Sequence, residues 1–185
     1  MKLVRHALVT AGFSLAIGAA LPAFAVDSVL VGGAPMYPNK TIVENAVNSK
    51  DHTTLVAAVK AASLVDTLNS KGPFTVFAPT NAAFAALPAG TVESLVKPEN
   101  KAALSNILTY HVVAGTHTAK DLMAAANKTA GKTMLTTVQG ENLTVSYNGK
   151  LLSLTDSKGT NTAITIADVM QSNGVIHVVD KVLMP

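Results

Sequence analysis

Five histidines, eleven acidic residues and no cysteine limit the chemistry open to this chain. Without a thiol, and without a Gly-x-Ser-x-Gly elbow to raise a serine over a strand-to-helix turn, nucleophilic catalysis has no obvious centre. A phosphate cradle needs a glycine-rich loop between a strand and a helix. Gly32-Gly33 precedes any strand and lacks that spacing. His111, His117 and Asp121 are the one grouping with ligand-like character, since His117 and Asp121 stand one helical turn apart. His117 nevertheless falls before Thr118, the expected helix N-cap, so the pair need not face the same way, and no third imidazole lies at ligand spacing. No catalytic residue, metal or cofactor is therefore assigned, and the chain reads as a binder rather than an enzyme.

Two other positions have stronger arguments. His177 alternates with Val175 and Val179, which places it on one face of a strand. A neutral imidazole there is expected to satisfy buried backbone or hydroxyl groups of the Thr80-Asn81 turn, because a buried polar group left unpaired costs about 1–3 kcal/mol. Tyr110-His111 sits between apolar Leu108 and Val112. Its ring is either a lid over the core or part of a contact surface, roles that tyrosine often combines.

The elements that position these residues can be read from period and punctuation. Thr41-Ile42-Val43-Glu44 is a capping box opening a short helix. In 53–68 the residues Leu55, Val56, Val59, Ala62 and Leu68 recur at helical spacing, which predicts a second helix with one buried face. Phe74-Thr75-Val76-Phe77-Ala78 reads as a buried strand running into Pro79-Thr80-Asn81, with Thr80 as N-cap of a helix over 82–87. Helical turns are expected over 91–96 and after Pro98, extended chain over 110–113, and a capped helix over 118–126 with Asp121 in its first turn. Strands follow over 134–138, 143–147, 150–155, 163–167 and 175–179. Asn148-Gly149 predicts a two-residue hairpin turn with positive φ at both positions. Helices in the first half and strands in the second define an α+β domain.

Residues 1–25 have the form of an export leader: Lys2 and Arg5, an apolar run over 7–21, then Ala23-Phe24-Ala25. Residues 26–39 show no helical or strand period and are expected to form an N-terminal arm. Beyond the leader no apolar stretch reaches the ~18 residues of a membrane span. Removing the leader leaves 12 lysines against 11 acidic residues and no arginine, a net charge of +1. Bidentate recognition of phosphate or guanine leans on arginine, so nucleic acid is not an expected partner. The mature chain of 160 residues is long enough for one core, and without disulfides it must rely on packing. A monomer in the periplasm, outside the cell or at its surface is expected.

Phe74 to Phe84 resembles the first signature block of the fasciclin (FAS1) domain family. Asn173 to Pro185 resembles its second block, and Tyr110-His111-Val112-Val113 its tyrosine-histidine motif. In order and spacing the three cover 40–185, so the chain is identified as a single-domain member of the secreted bacterial type. The resemblance implies a twisted β wedge with several helices packed against it, and a role in adhesion to cells, matrix or surfaces, through a protein or polysaccharide partner. Thr80, Asn81, Phe84 and His177 become structural signature residues. Leu108, Tyr110 and His111 become adhesion-motif candidates, as do Asp168 and Val169, where the family has aspartate followed by isoleucine. Asp168 has a second reading as a residue that caps or turns the chain before Ser172. Some eukaryotic members bind carotenoids. An alternative role is thus carriage of an apolar small molecule, lipid or carotenoid-like, in a groove between helices and wedge, in keeping with a mean hydropathy of +0.36.

Overall fold

The computed structural model describes residues 28–185, so the expected leader lies outside the described residues. The segment expected to form an N-terminal arm, in which no strand period is legible, contains a short hairpin. Strands β1 (Val29–Val31) and β2 (Ala34–Met36) pair around Gly32-Gly33 and bury Val31 and Met36. Three residues per strand are too few to show a period. The turn holds because Gly32, at φ +60°, lies against the chain at 49–51, where a Cβ would come within 2.7 Å of the Asp51 amide.

Helix α1 (Ile42–Ala46) opens on the expected capping box: the Glu44 amide donates to Thr41 Oγ1 at 3.3 Å and the Thr41 amide to Glu44 Oε2 at 2.8 Å. A 3-10 turn (Lys50–His52) leads into α2 (Thr53–Ala61). The single helix expected over 53–68 breaks at Ser63, whose φ is +58°, and α3 (Val65–Asn69) follows. Neither Gly nor Pro marks this stop. The Leu64 amide turns back to the Val59 carbonyl and the break directs Leu55, Val59 and Leu68 into one core.

Strand β3 (Phe74–Pro79) is followed by α4 (Asn81–Ala85), α5 (Thr91–Leu95), a 3-10 turn (Pro98–Asn100) and α6 (Lys101–Tyr110). Then come β4 (Val112–Ala114), α7 (Ala119–Lys128), β5 (Lys132–Thr136), β6 (Asn142–Tyr147), β7 (Leu152–Thr155), β8 (Asn161–Gln171) and β9 (Gly174–Val179). The β6–β7 turn differs from expectation. Tyr147 pairs with Leu152, leaving a four-residue loop in which, of Asn148 and Gly149, only Gly149 has positive φ. Asn148 Oδ1 accepts from the Lys150 and Leu151 amides and so builds the turn from its side chain.

Seven strands form one sheet in the order β4-β3-β9-β8-β7-β6-β5. The fold is α+β, a wedge closed for most of its girth. Its two ends meet where Val113 bridges Thr137 and the Val138 amide donates to the Val112 carbonyl at 2.7 Å. β3 and β9 run parallel at the centre, Phe77 beside His177 and Pro79 beside Val179, and both are covered on both faces. Alternation therefore feeds two cores. Val76, Ala78, Ile176 and Val178 face the helices with Leu55, Phe84, Leu104 and Leu108. Phe77 and Val179 face the wedge interior with Tyr110, Leu122, Leu143, Val145, Leu154 and Leu183.

The β3–β9 pair starts where Gly174 lies beside Phe74, and there a Cβ would collide with the Phe74 carbonyl and come within 2.9 Å of its amide. Because the obstruction is backbone in a central strand, it has little room to relax. Gly174→Ala is expected to cost about 2–3 kcal/mol in urea unfolding. An unchanged midpoint would contradict this close approach.

Candidate functional site

The chemistry-bearing side chains fall into three latches that tie helices to strands, turns and the C-terminal segment. In the first, Tyr110 ends α6 with its ring fully buried, its hydroxyl donating to the Asn142 carbonyl at 3.2 Å and accepting from the Ser157 amide at 3.1 Å. Burial pushes its pKa up. His111 caps the same helix and is equally enclosed. Its Nδ1 lies 2.8 Å from the Ile107 carbonyl, which fixes the proton there, and leaves Nε2 to accept the Leu183 amide at 3.0 Å. Burial holds its pKa down at about 4, against the weaker pull of the Ile107 carbonyl and Asp156. Leu108 belongs to the core under the helices.

The second latch joins β8, β9 and α7. His177, fully buried, stacks on Phe77 with ring centroids 5.7 Å apart. Its Nε2 donates to the His117 carbonyl at 2.8 Å and its Nδ1 accepts the Asp168 amide at 3.3 Å. These are not the Thr80-Asn81 partners expected from sequence. Because His177 is level with Phe77, Thr80 lies three residues further along, about 10 Å away at strand rise and out of reach. Asp168 is half-buried at φ +57°, and its Oδ1 accepts the Ala119 amide at 2.6 Å, capping the first turn of α7. Val169 is fully buried in the helix-side core.

The third latch is the turn after β3. Thr80 Oγ1 accepts the Ala83 amide as N-cap of α4. Asn81 reaches back to α2, its Oδ1 accepting the Thr54 amide at 3.0 Å and its Nδ2 donating to the Lys50 carbonyl at 2.7 Å. Phe84 fills the core beside it. His52, also buried, pairs Nδ1 with Ser49 Oγ at 2.9 Å, while its Nε2 has no partner. Burial is the main cause of the lowered pKa of both His52 and His177.

The structure does not bring His111, His117 and Asp121 together as ligands. Both nitrogens of His111 are engaged, His117 Nε2 is 3.2 Å from the Ala114 carbonyl, and Asp121 closes a capping box with Thr118. Among the described residues no group of three His, Cys, Asp or Glu side chains is placed to hold a metal ion.

Sequence reasoning missed the buried amides and Asp156. Asn173 Oδ1 accepts the Ile42 amide and its Nδ2 donates to the Leu68 carbonyl, pinning α1 and α3 to the β8–β9 turn. Asn45 bonds Tyr37 and Gln171. Asp156 accepts the Thr160 and Met184 amides, joining the β7–β8 turn to the C-terminal segment. Asn and Asp in a turn look alike in sequence whether they face water or core, so only their place within a signature block hinted at Asn173.

Between α1, α2, α3, α6 and β3 lies a groove, open to solvent on one side, with a cavity of about 60 Å³. Its wall is apolar, with Val43, Val59, Leu64, Phe74 and Leu108 among its side chains and Lys60 the only charge.

The sequence matches the fasciclin domain over residues 50–185, and the chain belongs to the fasciclin domain family. It is 49% identical over 159 residues to the protein sll1483 of Synechocystis sp., spanning 85% of this chain and 81% of that one. It is 39% identical over 145 residues to immunogenic protein MPB70 of Mycobacterium bovis, spanning 76% of this chain and 66% of that one. In structure it resembles a FAS1 domain pair from the insect cell adhesion molecule fasciclin I. The TM-score is 0.70 at 20% identity, over 80% of this chain and 52% of that one.

The histidine latches set an acid limit. The folded chain keeps His111 neutral down to pH about 4, whereas the unfolded chain protonates it near 6.5. Between those values the unfolded state binds more protons, so stability falls as pH falls, by on the order of 3 kcal/mol from His111. His52 and His177 act in the same direction. His111→Gln, whose Oε1 can accept the Leu183 amide, is expected to flatten the decline in urea-derived stability between pH 6.5 and 4. An unchanged slope in that variant would contradict the assignment.

Proposed function

We propose that this chain is an exported, non-catalytic interaction domain that attaches to a protein or polysaccharide at a cell surface or matrix. The observation that carries this reading is the engagement of the imidazoles of His111 and His177 and of the Asp168 carboxylate in holding the fold, which leaves the surface as the working part. The same fold serves the insect cell adhesion molecule. In this reading Leu108, Tyr110, His111 and Val169 act by fixing the backbone that carries the surface loops, and half-buried Asp168 has side-chain surface to offer. Among the described residues no helix is long and apolar enough to cross a membrane, and the leader over 1–25 would deliver the domain outside the cytoplasm.

A second reading, carriage of an apolar small molecule, is favoured by the groove, because an apolar wall open to water is costly unless something covers it. Deleting the gene is expected to lower attachment or aggregation of the cells, and re-expression to restore it. Unchanged attachment on every surface tried would remove the adhesion reading and leave the carrier.

A further inference from the structure

We infer that the groove binds a single-chain amphiphile with an anionic head, the chain lying on the apolar wall and the head meeting the Lys60 ammonium. This rests on the carrier reading above and adds the chemical class of the ligand. The shape of the groove selects a slender chain. Its enclosed part, about 60 Å³, is far smaller than the ~150 Å³ of a closed cavity that admits a benzene ring, so a slender unbranched chain that continues along the open side fits it better than a ring system.

Apart from Lys60 and the exposed Thr67 hydroxyl, the wall has nothing with which to hold a polar body. Besides Lys60, only Thr67, Thr109 and His111 contribute polar side chains. Thr109 Oγ1 donates to the Ser105 carbonyl at 2.8 Å, and both His111 nitrogens are bonded within the fold. Lys60 lies in the last turn of α2 with an exposed side chain and is the one charge at the groove, where no carboxylate contributes to the lining. Among the described residues the one ion pair is Lys97–Glu99, so the Lys60 ammonium has no carboxylate of its own. A lysine can keep its methylene stem on apolar surface while its charge stays in water, the arrangement that a chain with a carboxylate, sulfate or phosphate head complements.

Calorimetric titration of the mature domain with decanoate and with decanol, both below their aggregation limits, separates chain from head. Decanoate is expected to bind about threefold to fivefold more tightly at low salt, with the difference shrinking as salt rises. Lys60→Gln should abolish that difference and Lys60→Arg should keep it. Lengthening the acid by two carbons should tighten binding roughly tenfold while the groove still covers the chain. Val56→Trp, which fills the groove, should lose both ligands while circular dichroism shows an intact fold. Equal affinity for acid and alcohol, or an unaffected Lys60→Gln, overturns the anionic head and leaves the carrier reading standing. Binding of neither probe, binding unchanged in Val56→Trp, or concentration-dependent self-association that covers the groove overturns the site itself.

Discussion

The parallel pairing of β3 with β9 is the constraint on which the rest of the molecule depends. The two strands lie 100 residues apart in the sequence, so their six-residue register closes about two thirds of the described residues on itself. Both of their faces are buried, and the helix-side core and the wedge core are therefore two sides of one ladder. The close approach of Gly174 to Phe74 sets the register at one end. At the other, the Thr80 amide donates to the Val179 carbonyl.

Two latches reach outward from this ladder to α2 and α7, and a third fastens the end of α6. Asn81 holds the start of α2, His111 holds the C-terminal segment against the end of α6, and His177 with Asp168 holds the start of α7. A neutral histidine suits such a position because one nitrogen donates while the other accepts, so a single buried ring joins two backbone segments without a charge to desolvate. The consequence for function is a division of labour. The polar side chains that could have formed a reaction centre are used as fasteners, and under the proposed function recognition would fall to surface loops and to the apolar groove between the helices.

Much of this was legible in the sequence because it is written locally. The Thr41-Glu44 capping box, the Phe74 to Ala78 strand and the Thr80 cap each depend on neighbours within a few residues, and each formed as read. What escaped depended on distant partners or on backbone torsions without a residue signature. Ser63 stops a helix with no glycine, and three-residue strands around Gly32-Gly33 carry no period. Of the candidate site, the importance of His177 could be read from its strand position but its partners could not. They follow from the register of β9 against β3 and from where the β8 bulge brings Asp168. The exposure of Tyr110 was equally undecidable, since the carbonyl and amide that bind its hydroxyl come from residues 142 and 157.

Native-state hydrogen exchange tests the central role of the β3–β9 ladder most directly, because it ranks segments by the free energy needed to open them. The account predicts that amides of Val76, Phe77, Ile176 and Val178 exchange only through global unfolding, while those of α1, α3 and the β5 edge exchange earlier through local opening. Faster exchange in β3 and β9 than in β5 and β6 would mean that the wedge stands without the central pair, and the account would fail.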